Sequence, residues 1–210
     1  MNDVATILLK IRAVTLSPKE PYTFTSGLKS PIYCDNRLLM SYPEFRKRVI
    51  DEFIAVIQKN HLTFDIVGGT ATAGIPHAAW IADRLEKPMI YIRGASKEHG
   101  KKNQIEGKLG KDQKVLIIED LISTGGSSVS AVEAVREAGG VVGDCCAIFT
   151  YEFEKAKQKF TNATCKLFTL TTFSELLTVA EEQNYITSEE EAIAREWKRD
   201  PEKWGEQFKS

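Results

Sequence analysis

Residues 115–128, VLIIEDLISTGGSS, place two carboxylates and a hydroxyl-rich glycine turn at the end of an apolar segment. Carboxylates such as those of Glu119 and Asp120 accept hydrogen bonds from sugar hydroxyls and help to hold divalent cations. Glycine N–H groups and serine or threonine hydroxyls donate to phosphate oxygens, and the start of a following helix adds a partial positive charge. The segment therefore predicts a site for a sugar phosphate such as a ribose 5-phosphate.

Simpler interpretations of this segment exist. A Ser/Thr/Gly turn before a helix is often only a cap, and an aspartate after a strand is often only a turn residue. Two acids, two glycines and four hydroxyls in one short stretch favour the phosphate interpretation. Two other phosphate-binding motifs, GxxxxGK[ST] and GxGxxG, do not occur in the sequence.

The elements that must position these residues follow from the hydrophobic pattern. Apolar segments alternate with helical patterns, and strands that are apolar throughout indicate a parallel sheet covered on both faces. Ligands bind beyond the carboxyl ends of such strands, which is where the two acids and the turn lie. The predicted strands are 64–67, 89–92, 115–118, 141–149 and 166–171, and the predicted helices among them are 74–86, 127–138, 152–161 and 174–184.

The segments outside this alternation are less regular. Apolar residues at helical spacing predict a helix at the amino terminus, and residues 17–42 read as irregular. Ser41–Glu44 resembles a capping box for a helix that runs to about Asn60. Residues 94–111 are rich in glycine and lysine and predict a long mobile loop, and the charged tail 188–204 predicts a helical appendage.

Composition limits the partners and the compartment. The chain has 210 residues, 42% of them hydrophobic, and a formal net charge of −1, so we expect neither a nucleic-acid nor a membrane partner. The amino terminus lacks the features of a signal peptide, and the four cysteines are scattered. We therefore expect a cytoplasmic protein with reduced thiols.

Four segments together resemble a known family. Residues 115–128 are similar to the motif of type I phosphoribosyltransferases that binds 5-phosphoribosyl 1-diphosphate (PRPP). The segments FTSGLKSPIYCDNR (24–37), GGTATAGIPHAA (68–79) and RGASKEHGKKNQIEG (93–107) resemble the orotate phosphoribosyltransferases within that family. The resemblance implies an α/β fold of the type I phosphoribosyltransferases, with a mainly parallel twisted sheet flanked by helices.

The same resemblance implies the organisation and the activity. It implies one domain over 1–210, with a small hood (1–42), an α/β core (43–186) and a helical carboxyl-terminal appendage (187–210). The family transfers the phosphoribosyl group of PRPP to orotate, giving orotidine 5′-monophosphate and pyrophosphate in pyrimidine biosynthesis, with Mg²⁺ as cofactor. It also implies a homodimer in which the loop 93–107 is shared across subunits.

Site residues follow by position from the family motifs. Catalytic roles are implied for Lys97, His99 and Asp120, and orotate contacts for Ser123 and Lys29. No protein residue is expected to ligate the metal, because PRPP itself carries most of the Mg²⁺ contacts. The implied PRPP-binding residues are Arg93, Lys97, His99, Glu119, Asp120, Leu121, Ile122, Ser123, Thr124, Gly125, Gly126 and Ser127.

The chain departs from the family pattern where the orotate and the diphosphate are held. Thr25, Ala73 and Gly94 stand where many members carry a basic residue, and no arginine occurs in 151–153. Arg37 is a further candidate for the orotate carboxylate. Two alternatives stay open on the sequence: a phosphoribosyltransferase for another nucleobase, and a regulator that senses PRPP without catalysis.

Overall fold

A computed structural model describes residues 3–94 and 104–208 of the chain. Its strands are β1 (Val14–Leu16), β2 (Tyr22–Thr23), β3 (Lys29–Ser30), β4 (Ile32–Cys34), β5 (Ile66–Thr70), β6 (Met89–Ile92), β7 (Ile105–Glu106), β8 (Val115–Ile122), β9 (Asp144–Thr150) and β10 (Lys166–Thr172). Its α-helices are α1 (Asp3–Lys10), α2 (Pro43–Lys59), α3 (Gly74–Arg84), α4 (Gly126–Glu137), α5 (Glu154–Asn162), α6 (Phe173–Glu182), α7 (Ser188–Arg199) and α8 (Pro201–Glu206). A 3₁₀ helix spans Asn36–Ser41.

A six-stranded sheet with the order β10-β9-β8-β5-β6-β7 forms the centre of the fold. The strands β10, β9, β8, β5 and β6 pair in parallel, and β7 pairs antiparallel with β6 at one edge. The predicted α/β class with a mainly parallel sheet is therefore confirmed. Strand β8, which carries the two acids near its carboxyl end, lies in the middle of the sheet between β5 and β9.

Both faces of the sheet are buried, because successive side chains of a strand point to opposite faces. In β8, Leu116 and Ile118 join a cluster that includes residues of α1, α2, α3 and α6. Val115 and Ile117 join a second cluster with residues of α4 and α5. This two-sided burial explains why the strand is apolar throughout its first part.

The amino-terminal segment is more regular than predicted. Strands β1 and β4 pair antiparallel, β2 and β3 form a second antiparallel pair, and the 3₁₀ helix follows. The prediction that residues 17–42 are irregular is therefore partly wrong. These strands are too short to show an alternating hydrophobic pattern in the sequence. The predicted capping box at Ser41–Glu44 is also wrong: Tyr42 is the N-cap of α2, makes no side-chain cap, and is followed by Pro43 in the first turn.

The predicted ends of two strands differ from the structure because glycines and acids were taken as strand ends. Strand β5 runs through Gly68 and Gly69 to Thr70. A Cβ on Gly68 would lie 2.8 Å from Cγ1 of Val115, so this glycine gives the neighbouring strand room to pack. Strand β8 includes both acids, and β9 begins only at Asp144. The predicted loop 94–111 contains the short strand β7.

The carboxyl-terminal helices pack onto the rest of the chain. Trp197 of α7 and Trp204 of α8 are both buried in the same cluster as α1 and α6. Helix α7 begins with a capping box formed by Thr187 and Glu190. All four cysteines are free thiols. Within 3–94 and 104–208, the structure contains no helix long and apolar enough to cross a membrane.

Candidate functional site

The acidic pair lies within the last residues of strand β8 rather than after it. Leu121 and Ile122 continue the strand beyond the acids by pairing with Phe149 and Thr150 of β9. Glu119 is only 5% exposed, and its carboxyl group accepts a hydrogen bond from Oγ of Ser128 at 3.1 Å. Glu119 therefore faces the first turn of α4, on the face of the sheet that packs against α4 and α5.

Burial raises the pKa of both acids. Burial, reinforced by the neighbouring Asp120 carboxylate, raises the pKa of Glu119 to about 8. Burial also raises the pKa of Asp120, while its hydrogen bond with Glu119 and the charge of Arg37 act in the opposite direction. Glu119 is therefore mainly protonated at neutral pH, and the pair carries about one negative charge, which we assign to Asp120.

The turn after β8 has the geometry of an anion site. Gly125 has φ +72° and is the N-cap of α4, in a left-handed conformation that favours glycine. A Cβ on Gly125 would also lie 3.3 Å from Cα of Ala156. Ser123 and Thr124 precede it, and Gly126 and Ser127 open the helix, so hydroxyls and unpaired N–H groups converge at the positive end of α4.

A lysine that the sequence did not indicate lies beside this turn. A Cβ on Gly126 would meet Nζ of Lys159 at 3.3 Å, so the ammonium group of helix α5 lies against the first residue of α4. A cation at the positive end of a helix is unfavourable by itself and is stabilised by an anion between them. Lys159 belongs to an ordinary amphipathic pattern, EKAKQKFTN, and nothing local distinguishes it from Lys155 or Lys157.

The amino-terminal segment reaches the acidic pair through Asn36. This fully buried side chain donates from Nδ2 to the backbone carbonyl of Asp120 at 2.8 Å. The next residue, Arg37, forms a two-point ion pair with Asp35, with Nε 2.6 Å and Nη2 2.9 Å from the carboxylate oxygens. Because Arg37 and Asp120 also influence each other's pKa, Arg37 is a cation that the fold brings towards the acids.

Lys29, the predicted orotate residue, has other contacts. Its Nζ donates to Oγ1 of Thr23 at 3.0 Å on the paired strand β2. Its side chain also packs against α8, since a Cβ on Gly205 would lie 3.3 Å from Cβ of Lys29. The described contacts of Lys29 therefore lie within the hairpin and with the carboxyl-terminal helices.

Two tyrosines near the acids were not among the predicted site residues. Tyr151 follows β9, and its N–H donates to the carbonyl of Ile122 at 3.0 Å, directly before the turn. Burial raises the pKa of Tyr151, and the nearby Cys34, Asp120 and Tyr33 raise it further. Tyr33 on β4 is 47% exposed and offers an aromatic surface in this region. Neither tyrosine belongs to a sequence motif, because only the fold brings β4 and the end of β9 to the acids.

The loop within segment 68–79, which carries part of the family resemblance, lies beside the acids. Strand β5 is the parallel neighbour of β8, so residues 71–73 follow β5 at the same edge of the sheet. A Cβ on Gly74 would lie 2.5 Å from the carbonyl oxygen of Ile118, so the start of α3 approaches the backbone of β8 directly. The buried hydroxyl of Thr70 has no protein partner among the described residues.

The lysine-rich loop is described only at its base. Arg93 forms an ion pair with Glu106, with Nε and Oε1 3.2 Å apart, and its backbone N–H donates to the carbonyl of Gln104. The predicted residues Lys97 and His99, together with Lys101 and Lys102, lie outside the described residues.

The oxygen ligands at the site suit a divalent cation that binds together with a diphosphate. Asp120 supplies carboxylate oxygens, which are the ligands that Mg²⁺ prefers. Among the residues of 3–94 and 104–208, no group of three or more His, Cys, Asp or Glu side chains is arranged to hold a metal. The described chain therefore offers single oxygen contacts rather than a dedicated protein cage.

A groove on the molecule borders this arrangement but is not part of it. It has a volume of about 1020 Å³ and lies between α5 and the edge strand β10. Its lining includes Lys157, Lys166 and Phe168, but neither the acids nor the glycine turn. We base the functional assignment on the strand ends and not on this groove, because the acids and the anion-binding turn come together at the strand ends.

Comparison with known proteins identifies the family. The family model "Phosphoribosyl transferase domain" matches residues 43–175. The chain is 55% identical over 203 residues to an orotate phosphoribosyltransferase of Coxiella burnetii, covering 97% of both chains. Among solved structures, it is similar to the orotate phosphoribosyltransferase of Aeropyrum pernix, with a TM-score of 0.77 and 28% identity over 88% of this chain and 99% of that one.

A second solved structure extends the comparison to a longer protein. The UMP synthase of Leishmania donovani matches with a TM-score of 0.80 and 31% identity over 94% of this chain. The chain spans only 42% of the length of that protein. Sequence, fold and strand-end geometry agree, and the chain belongs to the orotate phosphoribosyltransferase family, a group within the phosphoribosyltransferases.

Proposed function

We propose that the chain transfers the 5-phosphoribosyl group of PRPP to orotate, forming orotidine 5′-monophosphate and releasing pyrophosphate. The observation on which this proposal depends is the position of Asp120 just before the Ser123–Gly126 turn. This arrangement occurs in a chain that matches an orotate phosphoribosyltransferase over 97% of its length. An acid beside an anion-binding turn suits a ribose 5-phosphate.

The phosphoribosyl end is held by the turn and the acids. The hydroxyls of Ser123, Thr124 and Ser127 and the N–H groups at Gly125 and Gly126 donate to the 5-phosphate. The ribose hydroxyls bind at the acids, where Asp120 is the charged acceptor. Glu119, protonated and hydrogen-bonded to Ser128, joins the end of β8 to the first turn of α4. Leu121 and Ile122 contribute backbone groups at the strand end.

Asp120 also has an electrostatic role in the chemical step. Positive charge develops on the anomeric carbon of ribose as the diphosphate leaves, and a carboxylate placed beforehand near the ribose stabilises it. Mg²⁺, when bound with PRPP, neutralises part of the charge of the diphosphate. Arg93, Lys97 and His99 add positive charge around the leaving group, and Lys97 and His99 supply protons to it.

Orotate binds under the hood segment, 1–42, close to Ser123. Lys29 and Arg37 are the two candidate partners of its carboxylate. Arg37 is the better supported of the two, because the adjacent Asn36 bonds the backbone carbonyl of Asp120 and so brings Arg37 towards the acids. Tyr33 offers an exposed ring on which a planar base can stack.

We propose that the active species is a cytoplasmic homodimer with the loop 93–107 shared between subunits. Two observations support the dimer. The base of this loop lies at the β6–β7 edge of the sheet, from which the chain can extend towards a second copy. Leu38, Met40 and Tyr42 are large apolar residues that are exposed close together.

The free thiols agree with a reducing compartment. We retain the division into hood, core (43–186) and appendage (187–210).

An absorbance assay of orotate consumption with PRPP and Mg²⁺ tests the proposal. Uracil, adenine and hypoxanthine are assayed in parallel under the same conditions. We expect turnover with orotate and none with the other bases. Turnover of another base with orotate inert would refute the assigned substrate, and loss of turnover on omission of Mg²⁺ tests the cofactor.

A further inference from the structure

Two segments lie outside the range matched by the family model, and they contact each other. The match covers residues 43–175, whereas the hood precedes it and helices α7 and α8 follow it. The indole Nε1 of Trp197 on α7 donates to the backbone carbonyl of Lys29 at 3.0 Å. Lys19 and Glu189 form an exposed ion pair between the same two segments.

Trp197 is also packed against the core at the carboxyl end of β9. Its ring lies 5.4 Å from the ring of Tyr151 and 5.1 Å from that of Phe153, in edge-to-face arrangements. Tyr151 in turn donates its N–H to Ile122, the residue before the phosphate turn. One fully buried side chain therefore connects the hood hairpin to the strand end where the acids and the turn lie.

The hood is attached to the core at a second point. Asn36, which follows the β2–β3 hairpin in the chain, donates to the carbonyl of Asp120 at 2.8 Å. The hairpin itself contains only two residues in each strand, too few for independent stability. Its position therefore depends on what packs against it, and Trp197 and Gly205 are its partners on α7 and α8.

We propose that the carboxyl-terminal helices position the hood hairpin over the nucleobase site, and that Trp197 is the positioning residue. This inference rests on the proposed function, because it concerns the site where orotate binds. The helices therefore affect the binding of orotate, which accepts the phosphoribosyl group, rather than the binding of PRPP. The phosphate turn is built from β8 and α4 and does not depend on the Trp197–Lys29 bond.

The chain contains a matched control for this bond. Nε1 of Trp204 on α8 donates to the carbonyl of Ile193 on α7, also at 3.0 Å, so its bond lies within the carboxyl-terminal helices. Trp197→Phe and Trp204→Phe therefore remove the same donor and the same volume from two buried indoles. Only the first change removes a hydrogen bond to the hood hairpin.

Steady-state kinetics separate the two variants. We expect Trp197→Phe to raise KM for orotate about fivefold, the effect of one hydrogen bond, and to change KM for PRPP less than about twofold. Trp204→Phe should change neither KM. Equal increases in both KM values, or the same behaviour of both variants, would show that Trp197 serves only general stability and would overturn the inference.

A second variant covers the case in which Trp197→Phe does not fold. Gly205→Ala places a methyl group 3.3 Å from Cβ of Lys29 and displaces the hairpin without removing the indole bond. A Cβ on Gly143 would meet no atom within 4 Å, so Gly143→Ala is its control. KM for orotate should rise with Gly205→Ala and stay constant with Gly143→Ala, and the opposite pattern counts against the inference.

Hydrogen exchange gives a readout that does not depend on turnover. We expect amides of residues 22–30 to exchange faster in Trp197→Phe than in wild type, and at the wild-type rate in Trp204→Phe. If the wild-type chain were inactive with orotate, the proposed function would fail while this comparison still decided whether α7 holds the hairpin. Unchanged exchange in Trp197→Phe would contradict the inference.

Discussion

The buried carboxyl group of Glu119 makes the stability of the ligand-free protein depend on pH in a defined direction. The pKa of Glu119 is raised from 4.5 to about 8 by burial and by Asp120. The folded state therefore keeps a proton that the unfolded state has already released. This stabilising contribution is complete below pH 4.5 and is lost as the pH rises through about 8.

The magnitude follows from the difference in bound protons. With about one proton more in the folded state, stability falls by about 1.4 kcal/mol for each pH unit between the two pKa values. His77 contributes at lower pH only, because burial lowers its pKa from 6.5 to about 4 and it is neutral in both states above this range. Between about pH 6.5 and 8, the raised pKa of Glu119 therefore contributes a loss of about 2 kcal/mol.

Glu119→Gln removes this titration while keeping a neutral side chain that can hydrogen-bond Ser128. We expect thermal melts of the ligand-free wild type to fall by about 4–8 °C between about pH 6.5 and 8. The Gln variant should lose clearly less over the same interval. Glu133→Gln, at an exposed position of α4, controls for the loss of one surface charge. Parallel slopes for wild type and Glu119→Gln would refute the assignment of a neutral Glu119.

Three further predictions concern the phosphoribosyl and diphosphate sites. Asp120→Asn should raise the dissociation constant for PRPP about tenfold, since a charged acceptor is lost, and calorimetric titration with wild-type affinity would contradict this. Lys159→Gln should weaken binding of ribose 5-phosphate about tenfold through loss of a charge-assisted contact, whereas Lys157→Gln, on the same helix, should leave it unchanged. Lys97→Ala should lower kcat about 100-fold with little change in melting temperature, and a wild-type kcat would remove Lys97 from the mechanism.

Much of the core could be predicted because its signals are local. Helix α2 buries Phe45, Val49, Phe53 and Ile57 on one face, as their spacing of about four residues predicts. The ends of strands were less predictable where the same residue type occurs both in turns and within strands. Gly68 and Gly69 look like a turn but lie in β5, where the neighbouring strands leave no room for a side chain at Gly68 and helix α3 leaves none at Gly69.

The site could be located from the sequence, but its contacts could not. The turn at 123–127 and the acids of β8 were predicted from residue types in one continuous segment. Lys159 and Tyr151 reach the same place from α5 and from the end of β9, and no local pattern marks them. Lys29, predicted for orotate by position, has its described contacts with Thr23 and Gly205.

The sequence by itself determined the alternation of strands and helices and the chemistry of residues 115–128, because periodicity and residue type act over a few neighbouring positions. Only the tertiary structure decided that Glu119 turns onto Ser128 and keeps its proton, since its pKa depends on burial by elements distant in the chain. Only the tertiary structure joined Trp197 to Lys29, 168 residues apart, because a hydrogen bond between such residues exists only once the intervening core has packed.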